Sequence, residues 1–137
     1  MSIQFEGLDE VLENVDKIAN TAKVEAALGK ACALVERSAK QKAPKDTGEL
    51  RRSITSEVKD LVGVVYTPLE YAPYVEYGTG LFAENGGRQD VPWWYKDEKT
   101  GEWISTSGQK PQPYMRPALN ENRERIKQLI KEGLASD

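Results

Sequence analysis

The sequence predicts an α+β fold: a long central helix, with N- and C-terminal amphipathic helices, packed on a small antiparallel sheet. Three observations predict it: a helical apolar stripe that ends before Pro44, two β-branched runs within residues 54–66, and a second helical stripe after Pro117. A length of 137 residues fits one domain over residues 1–137. An extended aromatic loop or hairpin at about residues 79–113 completes the predicted architecture.

The N-terminal segment begins with Ser2–Glu6, whose weak alternation of apolar and polar residues predicts a short edge strand. From Leu8 to Ala19 the apolar residues recur at steps of three and four, which is typical of an amphipathic helix. Asn20 and Thr21 are then expected to cap a second, longer helix.

That central helix is predicted from a stripe formed by Val24, Ala27, Leu28, Ala31, Leu34, Val35 and Ala39. Small residues dominate one side of the helix, so another element is expected to pack closely against it. Pro44 disfavours the helical conformation of the residue before it, and the helix should therefore end near Lys42 or Ala43.

The next segment predicts a turn or short helix that leads into a β-hairpin. Asp46 and Glu49 form a local capping pattern, and Gly48 permits a tight turn. Ile54–Val58 and Val62–Tyr66 are alternating or β-branched, which predicts two paired strands with one buried face.

A short helix is expected over Tyr71–Gly78, with Pro73 in its first turn and Gly78 as its C-cap. At the other end of the chain, an amphipathic helix of about 18 residues is expected to start near Met115 or Arg116, with Pro117 in its first turn.

The aromatic loop between these helices contains all three tryptophans, Trp93, Trp94 and Trp103. The runs 93–95 and 103–105 predict a second hairpin with a polar tip. Exposed aromatic residues on a loop favour an interface with another protein. The alternative is that the hairpin folds back on its own sheet and buries the tryptophans.

The composition disfavours catalysis and metal binding. The chain has no histidine, which removes the commonest general base and transition-metal ligand, and its paired carboxylates fall on predicted solvent faces. We therefore expect no catalytic, cofactor-binding or metal-binding residues. The single cysteine, Cys32, indicates synthesis in a reducing cytoplasm and is expected in the core. No signal peptide or membrane span is expected.

The charges are unevenly distributed, although the net charge is only −3. Residues 1–19 contain five acidic residues and one basic residue, whereas residues 37–52 contain six basic and two acidic residues. The basic residues Arg37, Lys40, Arg51 and Arg52 are consistent with solvated helix faces, with a charged seam between copies of the chain, or with a face turned towards DNA. A face turned towards DNA would make the chain a DNA-binding accessory protein.

Three segments resemble signatures of one phage protein family, the small tail-completion or head–tail joining proteins of siphophages. Ala43–Ile54 resembles A-P-x-D-T-G-x-L-R-x-S-I, and Tyr71–Gly80 is similar to Y-A-x-Y-V-E-[FY]-G-T. Pro111–Ala118 resembles the third signature, P-x-P-[FY]-[ML]-x-P-A. All three occur in the family's order, and the resemblance covers about residues 8–132.

The resemblance implies a structural virion protein that forms a ring, six copies being expected, at the head-proximal end of the tail. Its implied partners are further copies of itself, the tail terminator or tail tube protein, and a head-closure or neck protein. Genomic DNA would pass through the lumen without sequence recognition. A tail terminator or a head-closure protein of the same junction is the alternative.

The signatures also assign residues to expected roles. Residues of the fold and its turns are Pro44, Thr47, Gly48, Leu50, Ser53, Ile54, Gly78, Gly80, Pro113 and Pro117. Residues expected at an interface with other copies or partners are Tyr74, Glu76, Tyr77, Trp93, Trp94, Trp103, Tyr114 and Met115.

Overall fold

The structure, a computed structural model, describes residues 1–5, 17–46, 48–84 and 86–135. It is divided into two compact units: Met1–Leu69 together with Tyr114–Asp137, and Glu70–Pro113. We call the first the helical unit and the second the aromatic unit. The predicted α+β class is confirmed, and the expectation of one domain over the whole chain stays a prediction.

The elements follow one another as β1 (Ser2–Phe5), α1 (Lys17–Lys42), α2 (Glu49–Ser53), β2 (Thr55–Lys59), β3 (Val62–Tyr66), α3 (Ala72–Tyr77), a 3-10 turn (Gly80–Phe82), β4 (Trp93–Lys96), β5 (Trp103–Thr106), α4 (Met115–Asn120) and α5 (Arg123–Ala135). None of the helices among the described residues is both long and apolar enough to cross a membrane.

Helix α1 is the central element of the helical unit. It has 26 residues and is therefore roughly 39 Å long at 1.5 Å per residue. It ends where Pro44 predicts, and because Lys17–Lys42 is helical throughout, the expected caps at Asn20 and Thr21 are wrong. Those two residues lie inside the helix, where each costs well under about 1 kcal/mol relative to alanine. The helix expected over 8–19 falls outside the described residues as far as residue 16.

The core of the helical unit is built on the predicted stripe of α1. The helix packs against β2, β3, α4 and α5. Its buried residues are Val24, Ala27, Leu28, Ala31, Cys32, Val35 and Ala39, whereas Leu34 of the predicted stripe is only half-buried. Each fully buried valine or leucine contributes roughly 1.5–3 kcal/mol.

The sheet of the helical unit has the order β1-β3-β2, and both pairs are antiparallel. The predicted hairpin and the N-terminal edge strand are thus confirmed. Lys59 pairs with Val62, which leaves Asp60 and Leu61 as a two-residue turn with φ of 52° and 63°. Positive φ at both turn positions matches the right-handed twist of the flanking strands.

The turn before α2 depends on Gly48. Its φ is 74°, a backbone conformation that residues other than glycine rarely adopt. Gly48 is the N-cap residue of α2, and no side-chain hydrogen bond caps the helix there. Asp46 is thus not the N-cap residue of α2, while Thr47 lies outside the described residues. Leu50 and Ile54 are buried at the two ends of the short helix.

A hydroxyl pair ties α2 to the end of β3. Ser53 Oγ lies 2.6 Å from the Leu50 carbonyl oxygen, to which it donates, and 2.7 Å from Thr67 Oγ1. Thr67 itself is 1% exposed, so Ser53 satisfies the hydrogen bonding of a buried hydroxyl. The role of Leu50, Ser53 and Ile54 in the fold stays a prediction, with which this burial and these hydrogen bonds are consistent.

The expectation of one continuous C-terminal helix is wrong, because the helix is interrupted at Glu121 and Asn122, between α4 and α5. In a continuous helix the backbone amide of Asn122 would donate to the Ala118 carbonyl. Instead, Asn122 Nδ2 donates to that oxygen at 2.7 Å, and the Asn122 amide donates to Leu119. The asparagine side chain thus competes with the helical ladder and ends α4. Pro117 lies in the first turn of α4, as predicted.

Helix α5 packs against α1 through Gly133, while Ile126 and Ile130 are buried on the same face. A Cβ atom at Gly133 would lie 2.8 Å from Cβ of Ala27. The predicted close packing against the small residues of α1 is confirmed at this contact.

Gly133→Ala is expected to lower the free energy of unfolding by about 1 kcal/mol, because overpacking of roughly 1–3 kcal/mol exceeds the gain in helix propensity. The matched control is Gly29→Ala in α1, where the added Cβ would have nothing within 4 Å. That change should stabilise by up to about 1 kcal/mol. Urea unfolding of both variants measures the difference, and stabilisation by both changes would contradict the close contact.

Cys32 lies in the middle of α1 and is 1% exposed. Burial raises the pKa of its thiol to about 11, with a contribution from the Glu36 carboxylate and an opposing hydrogen bond from the Val64 backbone. The neutral thiol is therefore favoured in the folded chain, and Cys32 is the core residue that its position predicts.

Cys32→Ala is expected to flatten the decrease in unfolding free energy between pH 9 and pH 11. The unfolded thiol ionises at its ordinary pKa of 9.0, whereas the folded thiol ionises at about 11. The stability that comes from the neutral thiol is complete below pH 9.0 and is lost as the pH rises to about 11, by about 2–3 kcal/mol. Urea unfolding at a series of pH values measures it, and parallel profiles for the two chains would refute this assignment.

Candidate assembly interface

The aromatic unit begins with α3, which lies within the predicted span Tyr71–Gly78 and has the predicted C-cap at Gly78, whose φ is 83°. Tyr71, Tyr74 and Tyr77 are spaced three residues apart and are all exposed, Tyr74 to 61%. This spacing places them on one side of the helix. Ala72 and Glu76 lie on the other side and are fully buried.

The segment after α3 is held by backbone hydrogen bonds to the segment after β5. The amides of Thr79 and Leu81 donate to the carbonyls of Gln109 and Ser107, each at 2.9 Å. The Gln109 amide in turn donates to Thr79 Oγ1 at 2.9 Å. The long loop is thus joined at its base by specific bonds between residues about 30 positions apart.

Gly80 makes that joining possible. Its φ is 61°, and a Cβ atom there would lie 2.7 Å from the ring of Trp93 and would also clash with the Ser107 carbonyl. Glycine is therefore required at this position for two reasons, conformation and space. The assignment of Gly80 to the fold and its turns agrees with this geometry.

Strands β4 and β5 form the predicted second hairpin. Trp94 pairs with Ser105 and Lys96 pairs with Trp103, so these four residues lie on one face, which we call the tryptophan face. All four are exposed, Trp94 to 64% and Trp103 to 65%. The two indoles are diagonal neighbours across the strands.

Trp93 belongs to the opposite face of the hairpin. Its ring lies against Gly80, and the Arg88 guanidinium lies 4.6 Å from the ring centroid. Arg88 Nε also donates to Asp90 at 3.0 Å, and this hydrogen bond is the main reason that the pKa of the Asp90 carboxyl is lowered. The structure therefore separates the three tryptophans: two form an exposed pair, and one packs within the unit.

The polar tip of the hairpin is closed by its own hydrogen bonds. The Asp97 amide donates to the Glu102 carbonyl at 2.8 Å, and the Gly101 amide donates to the Asp97 carbonyl at 2.7 Å. Asp97 Oδ1 also accepts from the Lys99 amide at 2.9 Å. These bonds fix the two strands in register beneath the tryptophan face.

A shallow, mostly apolar groove of about 290 Å³ lies beside the 3-10 turn. It is lined by Pro73, Tyr74, Tyr77, Gly78, Thr79, Gly80, Ala83 and Gly87, and we call it the tyrosine groove. Leu81 and Phe82 are exposed in the same turn, at 48% and 39%. Sequence reasoning missed these two residues, because a turn without periodicity gives no signal of which side chains face water.

Three residues expected at an interface have no surface to offer. Tyr114 and Met115 are fully buried in the helical unit, and Tyr114 Oη lies 3.9 Å from Met1 Sδ. Glu76 is also fully buried. We therefore leave these residues out of the proposed interface and keep the exposed ones.

The basic residues do not form a uniform exposed set. Arg37 and Arg52 are exposed, whereas Lys40 lies 3.5 Å from Glu36 in an ion pair on α1. Arg51 has two buried guanidinium nitrogens, Nε and Nη2, without a hydrogen-bond partner among the described residues. Their roles in DNA contact or in a charged seam stay predictions.

Trp93→Ala is expected to destabilise the aromatic unit by about 2 kcal/mol, because its ring packs against Gly80 and is half-buried. Trp94→Ala and Trp103→Ala should each change the unfolding free energy by less than about 0.5 kcal/mol. Hydrogen exchange of the Leu81 amide, which bonds to Ser107, reports the difference. Equal protection in all three variants would contradict the separation of the tryptophans.

The comparisons with known proteins identify a family. The model of the family described as "Bacteriophage HK97-gp10, putative tail-component" matches residues 8–78. No curated protein and no solved structure matches the chain. The matched residues include the first signature and most of the second, and they make up more than half of the 137 residues. The chain therefore belongs to the HK97-gp10-like family of bacteriophage tail components.

Proposed function

We propose that the chain is the subunit of a six-membered ring at the head-proximal end of a long phage tail, where it joins the tail to the neck. Membership of a tail-component family supports a location in the tail. The exposed tryptophan face is the main observation in favour of assembly with other protein copies. The alternative within the same junction is the ring of a tail terminator or of a head-closure protein.

The tryptophan face has the chemistry of an assembly contact. An indole that becomes covered removes roughly 150–250 Å² from water, and tryptophan is among the residues most enriched at binding hot spots. Trp94 and Trp103 each keep about two-thirds of their surface exposed in the single chain. Two such rings on one face favour a partner that covers them.

The hairpin backbone that carries these rings is already ordered, so little backbone conformational entropy is lost on binding. Its base is fixed by the bonds of Thr79 and Leu81, and its tip is closed through Asp97. A prepared surface lowers the entropic cost of association, since fewer backbone and side-chain rotations are lost. Such a surface suits a subunit that adds to an existing tail.

A structural role is favoured over a catalytic one, because the chain has no histidine to act as general base or metal ligand. Within the part of the chain that the structure describes, no group of three acidic or thiol side chains is arranged to hold a metal ion. The proposed partners are further copies of the chain, the tail tube or terminator, and the neck. DNA would cross the ring without sequence recognition.

A phage that carries Trp94→Ala together with Trp103→Ala is expected to make folded chain but few complete particles. Two hot-spot residues at about 2 kcal/mol each weaken association roughly a thousandfold. The measurements are infectious yield and the amount of chain in purified tails. The matched control is Glu98→Ala with Thr100→Ala at the hairpin tip. Wild-type yield from the tryptophan variant would refute the assembly contact, and chain found away from the head-proximal end would refute the location.

A further inference from the structure

We propose that the tryptophan face of one copy docks into the tyrosine groove of the next copy, so that neighbours in the ring contact each other head to tail. This inference rests on the proposed function, because it specifies the contact between copies. The occupant is a second copy of this chain, since the chain itself carries both a protruding aromatic pair and a concave apolar surface.

The groove is not filled by the tryptophan face of its own chain. Trp93 touches Gly80, which lines the groove, and Trp93 lies on the hairpin face opposite to the tryptophan face. Successive side chains on a strand point to opposite sides, so Trp94 is directed away from Gly80. The indoles of Trp94 and Trp103 therefore reach a groove only on another molecule.

The groove suits an indole in shape and in polarity. Tyr74 and Tyr77 form its aromatic wall, and aromatic rings favour offset or edge-to-face contact. Gly78 and Gly80 contribute no side chains, so part of the floor is peptide backbone. Each backbone carbonyl has two lone pairs, which offers an acceptor for the indole N–H.

The tryptophan face carries a basic residue, whereas the uncharged lining of the groove is flanked by Glu84 and by Arg88, which forms an ion pair with Asp90. Lys96 lies on the tryptophan face, directly across from Trp103. Glu84 is exposed and follows Ala83, the residue that lines the groove at the end of the 3-10 turn. This pair favours one orientation of docking and disfavours face-to-face pairing of two tryptophan faces, which would bring two Lys96 side chains together.

The area of the contact predicts weak association of free copies. About two-thirds of each indole is exposed, so covering both buries roughly 200–330 Å², less than half of the roughly 800 Å² per partner of a standard interface. The contact uses different surfaces on the two copies, so it is heterologous and leads to a ring when the rotation closes. Copies held side by side on a tail would form it persistently, whereas free copies would form it only transiently, which is sufficient for a disulfide to capture it.

Cysteine capture tests the contact directly. Ser105→Cys places a thiol on the tryptophan face, and Ala83→Cys places one in the groove. A mixture of the two purified variants, mildly oxidised, should give a disulfide-linked heterodimer, and Trp94→Ala should reduce its yield at least roughly tenfold, about 1.4 kcal/mol. The native Cys32 is buried and stays unreactive. Thr100→Cys at the hairpin tip replaces Ser105→Cys in the control mixture.

A chain that carries both Ser105→Cys and Ala83→Cys should give a ladder of linked copies in assembled tails, ending at the size of the closed ring. The inference is overturned if the mixture gives no more heterodimer than the Thr100→Cys control and the tails give no ladder. It is also overturned if the two thiols of one chain link to each other. A ring in those tails without the ladder would overturn the inference but support the proposed function. Heterodimer from a chain that is missing from tails would support the inference but overturn the proposed function.

Discussion

The aromatic unit depends on one close approach, that of Gly80 to the ring of Trp93 and the carbonyl of Ser107. With a hydrogen atom in place of a side chain, the backbone around residue 80 comes near enough to residues 107–109 for the bonds of Thr79 and Leu81 to form. Those bonds turn a long loop into a hairpin with a fixed base. Because Trp93 occupies the inner face at that base, Trp94 and Trp103 are left facing outward.

The fold could be predicted wherever burial imposes a period on the sequence. The stripe of α1 and the β-branched strands of the first hairpin are local patterns, and Pro44 ends the helix by sterics within two residues. The wrong predictions concern polar residues, which are found both within helices and at positions where a helix is capped or interrupted. Asn20 and Thr21 stay within α1, whereas Asn122 bonds the Ala118 carbonyl and divides the last helix. The residue types are similar at both places, so the sequence alone does not distinguish a residue that continues a helix from one that interrupts it.

The candidate site was predictable only as a region. Aromatic residues concentrated in the loop indicated a contact surface, but which tryptophan is covered depends on the register of β4 with β5 and on the distant Gly80. A strand of four residues gives no preference between its faces until another segment covers one of them. Tyr114 and Met115 show the converse, since two residues expected at an interface are buried in the core of the helical unit.

A heterologous contact between copies has to be weak if rings are to form only on a tail. Surfaces that are complementary but different add copies without end unless the rotation closes, so a strong contact would produce filaments or free rings before any tail exists. A contact of less than half the standard area avoids this outcome, because free copies stay apart at cellular concentrations. Binding to a tail raises the local concentration of neighbours, and the same weak contact then becomes favourable at every position of the ring. The small area of the tryptophan face is thus consistent with assembly in which the tail decides when the ring forms.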